Sequence, residues 1–184
     1  MEEYTENHLN NFIAGWYIPK ELCQAIIDYA EELNQWKSGT QAYLDLELEP
    51  LEHHPLIVDY VNFVKDIIDN YRDKYPACHQ FIYPNWALTD LRIQKYLPGN
   101  WYKETHCENV GCPETFRRHL VVQTYLNDVY NGGGTEFPLQ EAKFNAEQGL
   151  TIIWPTHWTH QHHGINAPDE VKYIINGWVS FVYE

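Results

Sequence analysis

Downstream of Pro84 the sequence changes texture, and this change constrains the fold more than any other feature. Short runs that alternate apolar and polar residues are separated by clusters of Gly, Asn and Pro. The runs at 88–96, 120–126, 149–154 and 171–182 read as strands. Residues 97–100, 127–134 and 165–169 read as the turn-rich links between them. Alternation of this kind buries one face of each strand, and short reversals bring neighbours together antiparallel. Several such strands in series predict a sandwich or barrel. The aromatic load of 7 Trp, 14 Tyr and 7 Phe against one Met suits half-buried pleated surfaces and supports the same reading.

Upstream the period is helical. Pro19 is placed at the first helical position, with Leu22, Ala25, Ile26, Tyr29 and Leu33 following on one stripe. A second helix is expected after Pro55, with Ile57, Val58, Val61, Val64, Ile67, Ile68 and Tyr71 on its apolar side and Pro76 at its end. The expected architecture is mainly β within an α+β class: a jelly roll, or double-stranded β-helix, buttressed by N-terminal helices. No repeat, low-complexity tract or linker interrupts the 184 residues, a length that favours one domain. Residues of about 1–84 would form the helical buttress and about 85–184 the jelly-roll core that carries the site.

Charge narrows the partners. Acids outnumber bases 26 to 12, a formal charge of −14, so the chain lacks the basic footprint of a phosphate-backbone binder. Arg117-Arg118 reads as a solvated pair rather than a nucleic-acid patch. Neither nucleic acid nor an anionic membrane is expected as a main partner. The acidic stretch Met1-Glu2-Glu3-Tyr4-Thr5-Glu6-Asn7 has no apolar core like a signal peptide's, and no run reaches a membrane-spanning length. Cys23, Cys78, Cys107 and Cys112 show no disulfide-framework spacing. They are expected to be reduced thiols in a cytoplasmic protein.

The sharpest local chemistry is His106-Cys107-Glu108. In an extended chain residues i and i+2 project to the same side, so an imidazole and a carboxylate could reach one ion. A second histidine from a distant strand would complete a 2-His-1-carboxylate face, which leaves open positions for Fe(II) and O₂ chemistry. Candidates lie in Trp154-Pro155-Thr156-His157-Trp158-Thr159-His160-Gln161-His162-His163-Gly164, four histidines in seven residues. His160 and His162 share a face if this segment is extended, and His163 lies on the other. A rival is a zinc site of His106, Cys107 and Cys112, whose cysteine spacing fits a zinc knuckle loosely.

Four segments in order resemble the 2-oxoglutarate/Fe(II)-dependent dioxygenases, specifically the prolyl 4-hydroxylase-like branch. Residues 96–108 are similar to its Tyr…Pro-Gly…Tyr…His-x-Asp segment. The stretch 120–138, with Tyr125-Leu126-Asn127 and Gly132-Gly133-Gly134-Thr135-Glu136-Phe137, resembles its Tyr-Leu-Asn…Gly-Gly-x-Thr-x-Phe hairpin. Residues 149–155 look like a strand ending in an aromatic residue and proline. His162-His163-Gly164 and Lys172 through Trp178 resemble its His-x-Gly…Lys…Trp ending. The likeness covers about the last half of the chain.

The resemblance implies iron ligands His106, Glu108 and His162, because the family's distal histidine precedes the basic cosubstrate residue by about ten positions and Lys172 stands at that distance. His160 is the reserve ligand and His163 the next. It implies that Lys172 pairs with the distal carboxylate of 2-oxoglutarate and that Tyr125 donates a hydrogen bond to it. Tyr96 and Tyr102 would be pocket residues, and Trp178, inward in parity with Lys172, would wall the site. No catalytic residue beyond the metal ligands is expected. Glu108 departs from the commoner aspartate, so its side chain must fold back to hold the iron.

The implied activity is hydroxylation driven by Fe(II), O₂ and oxidative decarboxylation of 2-oxoglutarate, with ascorbate as a further reductant that the family accepts. The branch points to a prolyl or other residue in a peptide or protein, with a small molecule as the alternative substrate class. The negative charge would favour a basic peptide. Two other readings share the scaffold: a metal-binding jelly roll of cupin type, and a binding module without turnover.

Overall fold

The computed structural model describes residues 2–4, 11–38, 43–48, 53–80, 82 and 85–182. Pro84, Met1 and residues 5–7 of the acidic N-terminal stretch lie outside the described residues.

The four alternating runs form the long strands of one antiparallel sheet: β4 (Trp86–Tyr96), β5 (Arg118–Tyr125), β8 (Leu150–Pro155) and β10 (Lys172–Phe181). Five shorter strands surround them: β2 (Lys37–Ser38), β3 (Leu44–Glu47), β6 (Thr135–Phe137), β7 (Ala142–Phe144) and β9 (His163–Gly164). With β1 (Ala14–Tyr17), the large sheet runs β1-β8-β5-β10-β4-β3-β2, and a smaller one runs β7-β6-β9. Every strand pairing is antiparallel, as a jelly roll requires.

Strand parity divides the interior. In β10, Ile175 and Val179 join Ile93, Val122, Leu120 and Ile153 in an apolar layer on one side of the large sheet. Ile174 and Trp178 join Val121, Tyr125, Ile152 and Trp154 on the other, inside the roll. Gly177 stands where the sheet is tightest: a Cβ there would lie 2.6 Å from Leu91 Cδ2.

Two helices cover the outer side. α1 (Lys20–Leu33) buries Cys23, Ile26, Ile27 and Ala30, and α2 (Pro55–Lys74) buries Ile57, Tyr60, Val64, Ile67 and Tyr71. These positions recur at three- and four-residue spacing, as an amphipathic stripe facing a core does. A single-turn helix, α3 (Ala77–Gln80), follows.

The helical reading of the first third requires three corrections. Pro19 caps α1 with extended angles (φ −57°, ψ 132°) instead of opening it. Val58 is exposed, because the helix turns the Tyr60 face to the sheet. Three strands also lie in this region. β1 carries no alternation in the sequence, because its Ala-Gly-Trp-Tyr run is buried on both faces.

Candidate metal centre and cavity

His106 and His162 face each other as an isolated antiparallel bridge: the amide of each donates to the carbonyl of the other, at 3.0 and 2.9 Å. Backbone groups also set the imidazoles. His106 Nδ1 donates to the Glu104 carbonyl at 2.9 Å, and His162 Nδ1 to the His160 carbonyl at 3.0 Å. Each carbonyl engages Nδ1, which leaves Nε2 as the ring nitrogen turned to the site and available to a metal ion once deprotonated. Both Nε2 atoms point at Glu108 Oε1, at 3.2 Å from His106 and 3.5 Å from His162. Phe137 and Trp154 pack on the His162 ring with centroids at 5.4 and 5.0 Å.

Glu108 is placed by its own amide, which donates to the Thr156 carbonyl at 3.0 Å. Burial opposes ionisation of its carboxyl, but the hydrogen bonds and charge of His106 and His162 outweigh it and hold the group well below the usual carboxylate range. Burial likewise works against the charged form of His106, and contact with Glu108 reverses it, so that imidazole is raised.

Among the described residues, His106, Glu108 and His162 are the one group of three or more such side chains able to hold a metal ion, with ligand atoms all within 4.8 Å of one another. The spacing suits a common ion: two donors held cis at about 2.1 Å from a metal stand about 3 Å apart. Two imidazole nitrogens and one carboxylate oxygen are the donor set that suits Fe(II).

The other histidines of the run have different partners. His160 is buried, with Nε2 on the Asn11 carbonyl at 2.9 Å and Nδ1 beside Thr159 Oγ1 at 3.0 Å. Its expected alignment with His162 fails because residues 158–160 form a helical turn. His163 turns to Glu136, 3.5 Å from its Oε2. The cysteines of the zinc alternative lie outside the group: Cys107 Sγ reaches the Asn109 carbonyl at 3.6 Å and Cys112 lies against Thr115.

These groups open on a cavity of about 200 Å³, which is also lined by Gln94, Gln123, Thr135, Lys172, Asn176 and Trp178. Lys172, at 4% exposure, has no carboxylate partner among the described residues. Its Nζ lies 4.3 Å over the ring of Tyr96, the residue opposite it on β4. Burial pulls its ammonium down to about 8. An unpaired buried cation is costly, and a carboxylate delivered to this cavity would relieve it.

Tyr96 and Tyr102 line the cavity, Tyr102 with its ring 4.4 Å from His106. Trp178 lines it too and donates Nε1–H to Glu108 Oε2 at 3.1 Å. Tyr125 does not reach the wall: its hydroxyl is 2.6 Å from that of Thr135, which does.

The reading of Arg117-Arg118 as a solvated pair holds for exposed Arg117 but not for Arg118. The Arg118 guanidinium lines the cavity, 3.4 Å from Glu108 Oε2 and 3.6 Å from the Trp178 ring centre. Simple alternation hides this. Inward residues 121, 123 and 125 of β5 predict an outward residue 118, but the register shifts opposite Val179/Ser180 and re-aims it.

The fold, a jelly roll whose interior opens on two imidazoles, one carboxylate and a buried lysine, is similar to that of solved prolyl hydroxylases, the branch of 2-oxoglutarate/Fe(II) dioxygenases that the sequence also resembles. No protein-family model matches the chain. A curated protein of Acanthamoeba polyphaga mimivirus, "Putative prolyl 4-hydroxylase", is 30% identical over 131 residues, 62% of this chain and 52% of that protein. The chain thus matches about half the length of that relative.

Among solved structures, the viral collagen prolyl hydroxylase of Paramecium bursaria Chlorella virus-1, as its 2-oxoglutarate complex, superposes with a TM-score of 0.72 at 17% identity. The match covers 94% of this chain and 97% of the other. A Trichoplax adhaerens prolyl hydroxylase, in complex with a hypoxia inducible factor peptide fragment, gives 0.67 at 15% identity, covering 93% and 84%. No helix among the described residues is long and apolar enough to cross a membrane.

Proposed function

We propose that the chain is a single-domain Fe(II)- and 2-oxoglutarate-dependent hydroxylase acting on a prolyl or other residue of a peptide or protein. One observation carries the reading: the His106–Glu108–His162 group and the unpaired Lys172 line the same cavity. His106 Nε2, Glu108 Oε1 and His162 Nε2 would hold the iron. Three protein ligands leave coordination sites for a chelating cosubstrate and O₂. When bound, the iron with 2-oxoglutarate supplies oxygen activation coupled to decarboxylation to succinate and CO₂.

The chain's own residues bind and orient. The Glu104 and His160 carbonyls engage Nδ1 of the two imidazoles and leave Nε2 turned to the site. Lys172 would take the distal carboxylate in a setting where an ion pair is poorly screened. Tyr125 would act on that carboxylate through Thr135, whose hydroxyl it fixes. Ile174 and the Trp178 ring add apolar surface to the cavity wall and would help to keep water from the reacting centre.

A peptide substrate is supported by the peptide bound to the Trichoplax neighbour and by the mimivirus relative. The formal charge of −14 favours a basic peptide. The four cysteines are all free thiols, which suits a cytoplasmic setting.

The test is anaerobic addition of Fe(II) and 2-oxoglutarate, read by the visible charge-transfer band of the chelate. Succinate release in air, with ascorbate present, then follows over proline-containing peptides of matched positive and negative charge. Band, succinate and a one-oxygen mass gain on the peptide are expected, with the basic peptides ahead. Metal binding without 2-oxoglutarate-dependent succinate would return the chain to a cupin-type metal protein. Absence of both would leave a binding module.

A further inference from the structure

We infer that Trp178 and Arg118 form a two-donor clamp that positions Glu108 and lets a glutamate serve where this fold commonly uses an aspartate. The inference rests on the metal-centre reading above. The two carboxylate oxygens of Glu108 have separate duties. Oε1 faces the imidazoles at 3.2 and 3.5 Å, and Oε2 accepts from Trp178 Nε1–H at 3.1 Å and lies 3.4 Å from Arg118 Nη1. The same Arg118 nitrogen donates to the Glu108 backbone carbonyl at 3.2 Å, so one guanidinium grips both ends of the residue. That guanidinium lies 3.6 Å from the Trp178 ring centre, and the two donors therefore brace each other.

The extra methylene makes such a clamp necessary. Glutamate has one more torsion than aspartate, and an unrestrained carboxylate would spread over several rotamers. Two donors on Oε2 select the rotamer that leaves Oε1 on the imidazoles. An aspartate keeping one oxygen on the imidazoles would withdraw the other by up to about 1.5 Å, one C–C bond. That exceeds hydrogen-bond reach from the present donor positions.

The backbone brings the two donors together by different means. β10 is irregular against β4 between Asn176 and Trp178, and against β5 between Val179 and Ser180, the pair that faces Arg118. Irregularities of this kind re-aim side chains beside functional sites. The second re-aims Arg118, because β5 carries an extra residue between Arg118 and Leu120; in the first the extra residue lies on β4, and Trp178 keeps the inward parity of Lys172, Ile174 and Asn176.

The experiment is an anaerobic titration with Co(II) alone, following its ligand-field absorption, of Trp178→Phe and Arg118→Gln in the Glu108 protein and in the Glu108→Asp protein. In the Glu108 protein each change should weaken Co(II) binding about 10- to 100-fold, the usual effect of losing a partner of a metal ligand. The ligand-field spectrum should change as well. In the Glu108→Asp protein the same changes should cost no more than about twofold, because the shorter arm has already left the clamp. Equal losses in both backgrounds, or none in either, would overturn the clamp. Failure of the unsubstituted protein to bind Co(II) would overturn the metal-centre reading and the clamp with it. Binding that depends on His106 but ignores both clamp residues would overturn the clamp alone. If Trp178→Phe fails to fold by near-ultraviolet circular dichroism, the Arg118→Gln pair decides.

Discussion

The two faces of the large sheet are made by alternate residues of the same strands, yet they differ in kind. Toward the helices, β10 presents Ile175 and Val179, which pack with Val64, Ile67 and Tyr60 in a layer of apolar side chains. Toward the roll it presents Lys172, Ile174, Asn176 and Trp178, and β5 adds Gln123 to the same cavity wall. Asn176 Oδ1 is buried without a hydrogen-bond partner there. The outer face maximises apolar burial, while the inner face holds polar groups in costly states. One layer stabilises the fold, and the surplus lets the other keep a reactive geometry.

The largest effect that would break this division lies on the inner face. His106→Ala and His162→Ala should each remove Co(II) binding and the 2-oxoglutarate band. Their effect should exceed the roughly 10- to 100-fold loss from deleting a supporting contact. His160→Ala should leave both signals, because its ring is engaged by Asn11 and Thr159. If the band survives in the His162 variant and disappears in the His160 variant, the distal ligand is wrongly placed while the fold assignment stands.

On the outer face the matching change is Ile67→Ala, at a position with no exposure. Removing a buried isoleucine side chain costs about 2–5 kcal/mol. Urea unfolding should show that loss, and Co(II) affinity of the folded protein should not move. A shift in metal affinity would mean that the helical layer tunes the site and does more than support it.

What the sequence makes legible also follows the two faces. β4, β5, β8 and β10 were legible because long strands with one core face alternate. Lys172 and Trp178 share a parity that the structure preserves. The two- and three-residue strands β6, β7 and β9 were not legible, since a run that short has no period to detect. Their Gly-rich and His-rich surroundings read as turns. His106 and Glu108 met through simple i, i+2 projection. Arg118 stayed hidden because a register shift cancels parity. Tyr125 was placed in the pocket by resemblance, and the structure sets it one hydrogen bond behind the wall.

Lys172 offers a test of the cost carried by the inner face. Its pKa falls from 10.5 to about 8 through burial, so below pH 8 the folded state holds a proton that the unfolded chain binds more tightly. The unfolded state binds more protons between those values, and stability attributable to this group therefore rises with pH from about 8 to 10.5. Lys172→Met should remove that rise and stabilise the ligand-free protein at pH 7 by up to about 3 kcal/mol. It should also weaken 2-oxoglutarate binding at least tenfold, as loss of a charged hydrogen bond of about 1.5–3 kcal/mol implies. Thermal unfolding across pH, set beside a 2-oxoglutarate titration of the chelate band, separates the two. A variant that loses stability as well as binding would show that Lys172 is a packing residue.

The smallest effect is the most discriminating, because the two faces contain a matched pair. Tyr60 and Tyr125 are both fully buried, and each sets its hydroxyl against a threonine, Thr124 at 3.0 Å and Thr135 at 2.6 Å. Burial raises both phenols well above their ordinary range, so neither ionises near neutral pH. Replacing either by phenylalanine deletes one neutral hydrogen bond and leaves the threonine a second partner, Thr151 for Thr124 and Gln123 for Thr135. Each change should therefore cost only about 1 kcal/mol in urea unfolding. Thr124 looks toward α2, however, and Thr135 toward the cavity. Tyr125→Phe should therefore weaken 2-oxoglutarate binding severalfold by freeing the Thr135 hydroxyl, and Tyr60→Phe should leave it unchanged. Equal stabilities with unequal 2-oxoglutarate affinities would separate support from function at a single atom on each face. Equal affinities would place the cosubstrate's carboxylate away from Thr135.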